Sequence, residues 1–317
     1  MLLPSPPESD AELALLRICQ LTLKSASQTV LDAVDMAIYS GERVAILGPS
    51  GTGKSLLARA ITGILPNDVC CEGQIVLNGY DITCRHPALR PSAARVSMVD
   101  QDTSTALSPF HTLGQQLMMV CAGAGQSGCA LRWRAEALLE QVGLSRDIMR
   151  RYPGEISGGQ RQRVCIALAL ACDTSLLVAD EPTSALDAVN QQHVLHALIS
   201  AVPDGSANEL SGLSFLKRIR STPAAALAAY TSTSSRPKAL LFITHDLKAA
   251  QQLCDRALVL YEGKIVESAS MSALLNNPQH AFTQRMVAAW RQEQSQLSAV
   301  MANNSLISDS YKSSGVS

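Results

Sequence analysis

The sequence predicts an α/β fold built on a mainly parallel sheet, and three observations predict it. Short apolar β-like segments alternate with helical ones along the 317 residues, the pattern of a parallel sheet covered by helices. The stretch Gly48-Pro49-Ser50-Gly51-Thr52-Gly53-Lys54-Ser55 fits G-x-x-x-x-G-K-[ST], a loop whose backbone N–H groups cradle nucleotide phosphates. It stands between Arg43–Leu47, read as a buried strand, and Leu56–Leu65, read as a helix. Strand, glycine turn and helix is the setting this loop requires.

The elements follow in chain order. Residues 1–12 are rich in Pro and Ser and carry acidic residues, so they read as a flexible N-terminus unlike a signal peptide. Residues 13–85 hold several strand candidates and the phosphate loop. From Pro87 the pattern turns helical, with Leu131, Ala135, Leu138, Leu139 and Val142 at helical spacing, which marks residues 87–163 as a separate helical subdomain. Val164–Ala171 reads as a further helix. Leu176–Ala179 is a buried strand that runs into Asp180-Glu181, and Leu240–Ile243 is another that runs into Thr244-His245-Asp246. Between them, residues 203–237 are rich in Ser, Ala and Thr and read as a loop insertion with a helix at Leu213–Ile219. One domain therefore spans 13–290, followed by a Ser/Asn-rich flexible tail at 291–317.

Composition narrows the partners. Lys and Arg number 26 against 27 Asp and Glu, so the basic footprint of a nucleic-acid binder is missing and no nucleic-acid partner is expected. Nine cysteines are scattered, and Cys70-Cys71 has no second pair at zinc spacing, as in a reduced, intracellular chain. No apolar run approaches 18 residues, so nothing here spans a bilayer. A cytoplasmic, soluble protein that docks onto a membrane protein is compatible with all of this.

Three segments carry chemistry. Backbone N–H groups of Gly51 to Ser55 lie at a helix N-terminus and face phosphates with the positive end of the helix dipole. Lys54 is expected to reach the β- and γ-phosphates, and the Ser55 hydroxyl to ligate Mg²⁺. Asp180 and Glu181 end a strand at the carboxyl edge of the sheet, where open α/β sheets bind ligands. Asp180 is assigned to Mg²⁺ and Glu181 to the attacking water as general base. On its own such a pair also describes a strand meeting solvent; downstream of a phosphate loop the chemical reading prevails. The third segment, Ile156-Ser157-Gly158-Gly159-Gln160, offers free N–H groups at a helix start, either as a second anion site or as an ordinary N-cap. One triphosphate cannot easily use both loops of one small domain, which suggests a dimer.

The order of phosphate loop, Gln101, ISGGQ, Asp180-Glu181, Ser184-Ala185-Leu186-Asp187 and His245 resembles the ATPase subunit of ABC transporters over about Leu13 to Met286. The resemblance implies a P-loop ATPase core with an ABC-type helical subdomain. It also implies two such domains packed head to tail, each ATP lying between one phosphate loop and the partner's Ser157-Gly158-Gly159-Gln160. By the same resemblance Gln101 senses Mg²⁺ and couples to a membrane subunit, Asp187 lies at the dimer interface, and His245 contacts the γ-phosphate. The implied partners are two membrane permease subunits, a second ATPase subunit (a paralogue by preference) and, through the permeases, an extracytoplasmic substrate-binding protein. The implied location is peripheral, on the cytoplasmic face of the inner membrane.

Within that family, Gln101-Asp102 with Leu107-Ser108-Pro109, Tyr152-Pro153, and Asn277–Thr283 resemble the peptide and nickel importers. Gly63-Ile64-Leu65-Pro66, and the lack of cysteine after Cys254, tilt the resemblance towards nickel. The expected function is thus ATP hydrolysis that energises import of nickel or a metal chelate. The alternatives are a peptide or opine importer, or a permease-free ABC ATPase within an enzyme complex. Three departures stand out, one of them the 203–237 insertion, which lengthens a connection that is short in the family. Leu21–Gln28 holds no aromatic residue where the family stacks adenine, and Thr103 replaces a frequent proline. His193 and His196, three apart on a predicted helix, invite a metal reading that a plain surface helix explains equally well.

Overall fold

The structure is a computed structural model that describes residues 14–25, 28–103, 106–172, 174–184, 186–202 and 239–296. The expected flexible N-terminus at 1–12, the insertion at 203–237 with its helix, and the tail from residue 297 lie outside the described residues.

An antiparallel hairpin opens the chain, β1 (Leu16–Ser25) against β2 (Gln28–Ile38). Leu16, Ile18, Leu21 and Leu23 are buried while several of the residues between them meet solvent, the alternation of a sheet with one covered face. Then β3 (Arg43–Leu47), buried throughout, feeds the phosphate loop and α1 (Lys54–Thr62). The strands β4 (Val69–Leu77) and β5 (Tyr80–Asp81) complete a four-stranded sheet in the order β2-β1-β4-β5.

The second sheet contains β3 and, next along the chain, β6 (Val96–Val99). Helices α2 (Leu113–Gly123), α3 (Cys129–Gln141) and α4 (Gly158–Ala171) follow, then β7 (Leu176–Asp180), α5 (Ala188–Ala201), β8 (Ala239–Ile243) and α6 (Leu247–Leu253). After β9 (Arg256–Tyr261), β10 (Lys264–Ser270) and α7 (Met271–Asn276), a last helix α8 covers 281–296. The sheet order is β10-β9-β3-β8-β7-β6. All neighbours run parallel except β9 and β10.

The strands β3, β7 and β8 are buried at every position, because both faces of this sheet are covered and successive residues feed different cores. Ala45, Leu47, Leu177, Ala179, Leu240 and Phe242 point into the core shared with α2 to α6. Val44, Ile46, Leu176, Val178, Leu241 and Ile243 point into the core shared with α1 and the antiparallel sheet.

Two boundaries differ from the sequence reading. The stretch 87–163 contains β6, an edge strand of the parallel sheet, so the helical subdomain starts after it. Four residues flanked by proline-rich turns are too few to show a period. At the other end α8 continues through residue 296, so the described part of the 291–317 tail is helical. Glu267 anchors the segment before α8, since its carboxylate accepts from the backbone N–H of Gln279 and of His280, each at 2.9 Å. Phe282 stacks on Tyr261 with ring centroids 4.4 Å apart.

Candidate active site

Parallel pairing places the ends of β3, β7, β8 and β6 on one edge of the sheet. Ile46 faces Ile243, Ile243 faces Asp180, and Ala179 faces Val99. The segments that leave these strands are the phosphate loop, Asp180-Glu181, Thr244-His245-Asp246 and Asp100-Gln101. Four sequence-distant pieces of chemistry therefore meet because their strands are neighbours, as expected at the carboxyl edge of an open sheet.

Glycine is required in the loop at two places. A Cβ on Gly48 would lie 2.2 Å from the Leu260 carbonyl oxygen. Gly53, the left-handed N-cap of α1 at φ 94°, would drive a Cβ to within 3 Å of Val30 and Leu31 side-chain carbons. Only a residue without Cβ lets this backbone close so tightly beneath a ligand. Within the loop, Thr52 Oγ1 donates to the Pro49 carbonyl at 2.9 Å. Ser50 and Gly51 form its exposed rim.

Lys54 opens α1, and its ammonium donates to the carbonyls of Gly48 at 2.9 Å and Pro49 at 2.7 Å. Burial pushes this ammonium below its ordinary pKa, while Glu181 and Asp180 pull it back up. Asp180 is 1% exposed, and burial pushes its carboxyl above the ordinary value against a hydrogen bond from Ser55. Asp100 and Glu181 reinforce the rise, and Lys54 opposes it. Asp180 Oδ1 has no hydrogen-bond partner, a costly condition for a buried carboxylate.

Glu181 is almost buried, and its Oε1 lies 2.7 Å from His245 Nδ1. Its backbone is left-handed at φ 49°, a conformation that non-glycine residues hold at a cost of about 1–2 kcal/mol. The strand ladder supports it, because Glu181 N–H donates to the Ile243 carbonyl at 2.9 Å. The structure thus brings Lys54, Ser55, Asp180, Glu181 and His245 into one cluster.

The other expected residues sit around that cluster. Gln101 is exposed two residues beyond β6. Beside it, Asp100, Thr103, Ile64, Met119, Cys165 and Leu168 line a groove of about 730 Å³ between β6, α2 and α4. Ser157 and Gln160 form a reciprocal capping box on α4, so the N-cap alternative and the anion-site reading describe the same backbone. Gly158 has open space where a Cβ would be. Asp187 caps α5, and hydrogen bonds from Asn190 hold its carboxyl below the ordinary value. His193 and His196 are exposed on α5, and among the described residues no group of three His, Cys, Asp or Glu is placed to hold a metal ion.

Two links escape a reading of consecutive residues. Gln162 Nε2 donates to the Pro182 carbonyl, which ties the ISGGQ helix to the turn after Glu181. Gln191 Nε2 donates to Asp246 Oδ2 at 3.0 Å. Each joins positions far apart in sequence, and only the fold reveals it.

Comparison with known proteins adds the family. A family model described as ABC transporter matches residues 31–184. The chain is 37% identical over 261 residues to the probable D,D-dipeptide transport ATP-binding protein DdpD of Escherichia coli (strain K12), covering 80% of this chain and 70% of that protein. It is 35% identical over 271 residues to the peptidoglycan transport ATP-binding protein YejF of Agrobacterium fabrum, but there it spans only 44% of the relative's length. Among solved structures, the post-hydrolysis dimer of the ATP-binding cassette MJ0796 bound to ADP and Pi superposes with a TM-score of 0.60 at 24% identity, over 81% of this chain and 98% of that one. That likeness speaks for the fold. Among the described residues no helix is long and apolar enough to cross a membrane. Identity at this level, sustained over seven tenths of a transport ATP-binding protein, makes the chain a member of the ABC transporter family, among its ATP-binding subunits.

Proposed function

We propose that this chain is the ATP-hydrolysing subunit of an importer for short peptides. The observation that carries hydrolysis is the Glu181–His245 contact at 2.7 Å, set on the same strand-end edge as the phosphate loop. The substrate class rests on the relatives, whose names concern a D,D-dipeptide and peptidoglycan. Nickel, the leading cargo on sequence alone, finds no support in them, and the peptide alternative takes its place.

The residues have distinct tasks in this reading. Backbone N–H groups from Gly51 to Ser55 bind the phosphates, and Lys54 turns from the Gly48 and Pro49 carbonyls to the β- and γ-phosphates. Glu181 takes the proton of the attacking water, and His245 orients that carboxylate. The unpartnered, buried Asp180 Oδ1 beside the Ser55 hydroxyl fits a hard divalent cation such as Mg²⁺, which favours oxygen donors. With Gln101 nearby, Asp180 and Ser55 would hold that ion, whose chemistry is to neutralise phosphate charge. Ser157 to Gln160 and Asp187 are assigned to a second ATPase subunit's nucleotide, in a head-to-tail pair. The groove beside Asp100, together with the exposed Phe110, supports docking onto one of two permease subunits at the inner membrane. A substrate-binding protein on the far side completes the assembly.

The test is uptake of a labelled dipeptide and, in parallel, of nickel, in cells lacking this chain and complemented with wild type or Glu181→Gln. Peptide uptake restored only by wild type is expected. Restoration by Glu181→Gln would remove Glu181 from hydrolysis, and a defect confined to nickel would return the cargo to metal.

A further inference from the structure

Asp246 follows His245 directly, and its carboxylate is heavily engaged. Oδ1 accepts from the backbone N–H of Lys248 at 2.8 Å and of Ala249 at 3.1 Å, which caps α6. Oδ2 accepts from Gln191 Nε2 at 3.0 Å, across from α5. The Asp246 N–H donates to Thr244 Oγ1, also at 3.0 Å. The residues on either side of His245 are therefore fixed, although its own side chain is 61% exposed. An imidazole that open draws little direction from packing. Its aim comes from the turn that carries it and from the contact with Glu181.

Gln191 stands on the first turn of α5, where its N–H donates to the Asp187 carbonyl at 2.8 Å. That helix follows the turn leaving Glu181. The carrier of Glu181 and the carrier of His245 are thus joined twice. One join is at the strands, through Glu181 N–H and the Ile243 carbonyl. The other lies further out, through Gln191 and Asp246.

We propose that Gln191 is a positioning residue for ATP hydrolysis. Its carboxamide holds the Asp246 carboxylate, and so the His245 turn, where Nδ1 meets Glu181 Oε1. The inference rests on the reading of Glu181 as base and His245 as its partner. A bond from an amide to an ionised acceptor is about twice as strong as a neutral one. Displacing a catalytic group by an ångström can cost on the order of a hundredfold in rate.

A donor–acceptor swap tests this in steady-state ATP turnover by the full-length chain. Gln191→Glu sets a carboxylate against Asp246 and is expected to lower kcat by about tenfold or more, with KM for ATP unchanged. Asp246→Asn keeps the α6 cap, and a flipped Gln191 amide still bonds it, though without the charge, so this variant should lose less kcat than Gln191→Glu. Combining the two restores the bond with roles reversed and should restore kcat, a rescue that a general packing role would not produce. Thermal melting checks that each variant folds; should Gln191→Glu fail, Gln191→Met removes the donor at similar volume and is expected to lower kcat alike. Unchanged kcat in the Gln191 variants, or a loss that the swap leaves in place, overturns the proposal. Glu181→Gln is measured alongside. If it turns over like wild type, the base assignment falls and the positioning role with it; if it is inactive while Gln191→Glu is normal, only the positioning role falls.

Discussion

Replacing Asp180 with asparagine separates what the carboxylate does for the nucleotide from what it does to the fold. The residue is 1% exposed, Oδ1 has no partner, and Asp100 and Glu181 lie close enough to push its pKa upward. A buried polar atom left without a partner costs about 1–3 kcal/mol. An asparagine keeps an acceptor for the Ser55 hydroxyl and removes the buried charge, while its Nδ2 inherits the unpartnered place. The ligand-free protein should therefore gain only the excess cost of a charge over a neutral group, about 1 kcal/mol or about 2 °C in Tm for a chain this long. The pH dependence has a definite sign. A carboxyl whose pKa is raised by folding loses stability for the protein as pH climbs from the unfolded value to the folded one. The advantage of Asp180→Asn should therefore open across the window from about 3.8, the ordinary aspartate value, to the raised value and stay constant above it. Mg²⁺ with ATP at about 100 times its dissociation constant adds about 2.7 kcal/mol to the wild type, and this increment should shrink in the variant, which keeps the loop N–H groups and Lys54 but loses a cation ligand. Thermal melts with and without Mg²⁺ and ATP, at several pH values, read both effects. A ligand-free Tm that falls, or a preserved increment, would refute the assignment of Asp180 as a buried charge held for a cation.

Two further outcomes follow from the site. Lys54→Ala removes an ammonium that bonds the Gly48 and Pro49 carbonyls and, in the proposed function, the phosphates; charged hydrogen bonds contribute about 1.5–3 kcal/mol, so ATP affinity measured by calorimetry should fall about 10- to 100-fold, and unchanged affinity would count against this reading of the loop. With no aromatic in Leu21–Gln28, and with Leu21 and Leu23 fully buried, base stacking of about 0.5–1.5 kcal/mol is forgone. Competition binding should then find ATP and GTP within about tenfold of each other, and a preference beyond a hundredfold would show that another group reads the base.

What the sequence disclosed depended on how local each feature is. The phosphate loop, the ISGGQ cap and the Asp180-Glu181 strand end are runs of adjacent residues whose types state their backbone needs, and all three stand where their neighbours implied. The helix through Ala135, Leu138 and Leu139 was legible from its period, and those residues are buried on α3. By contrast β6 pairs four residues with β7 some 80 positions later, and a strand that short carries no period of its own. Arg90 was silent as well. Its buried guanidinium donates to the Ile61 carbonyl at 2.7 Å and the Arg85 carbonyl at 3.0 Å, capping α1 from outside. Such bonds depend on approach in space, which a single sequence does not encode in its spacing. The cargo was least legible of all, because in the proposed function none of the motifs read from the sequence touches it.

The division of β3, β7 and β8 between two cores has a further consequence. If any of these strands slid by one residue, about 3.3 Å, every side chain on it would change cores. Ala45 and Leu47 would enter the space shaped for Val44 and Ile46, and Phe242 would meet the cavity fitted to Leu241 and Ile243. Neither core tolerates that exchange, so no intermediate setting of the strands is open to the molecule. Asp180 ends such a strand, His245 stands two residues past another, and Lys54 opens the helix seven residues past the third. Their mutual spacing is therefore digital, fixed by counting residues along the sheet, and fine adjustment during turnover falls to the turns beyond the strand ends.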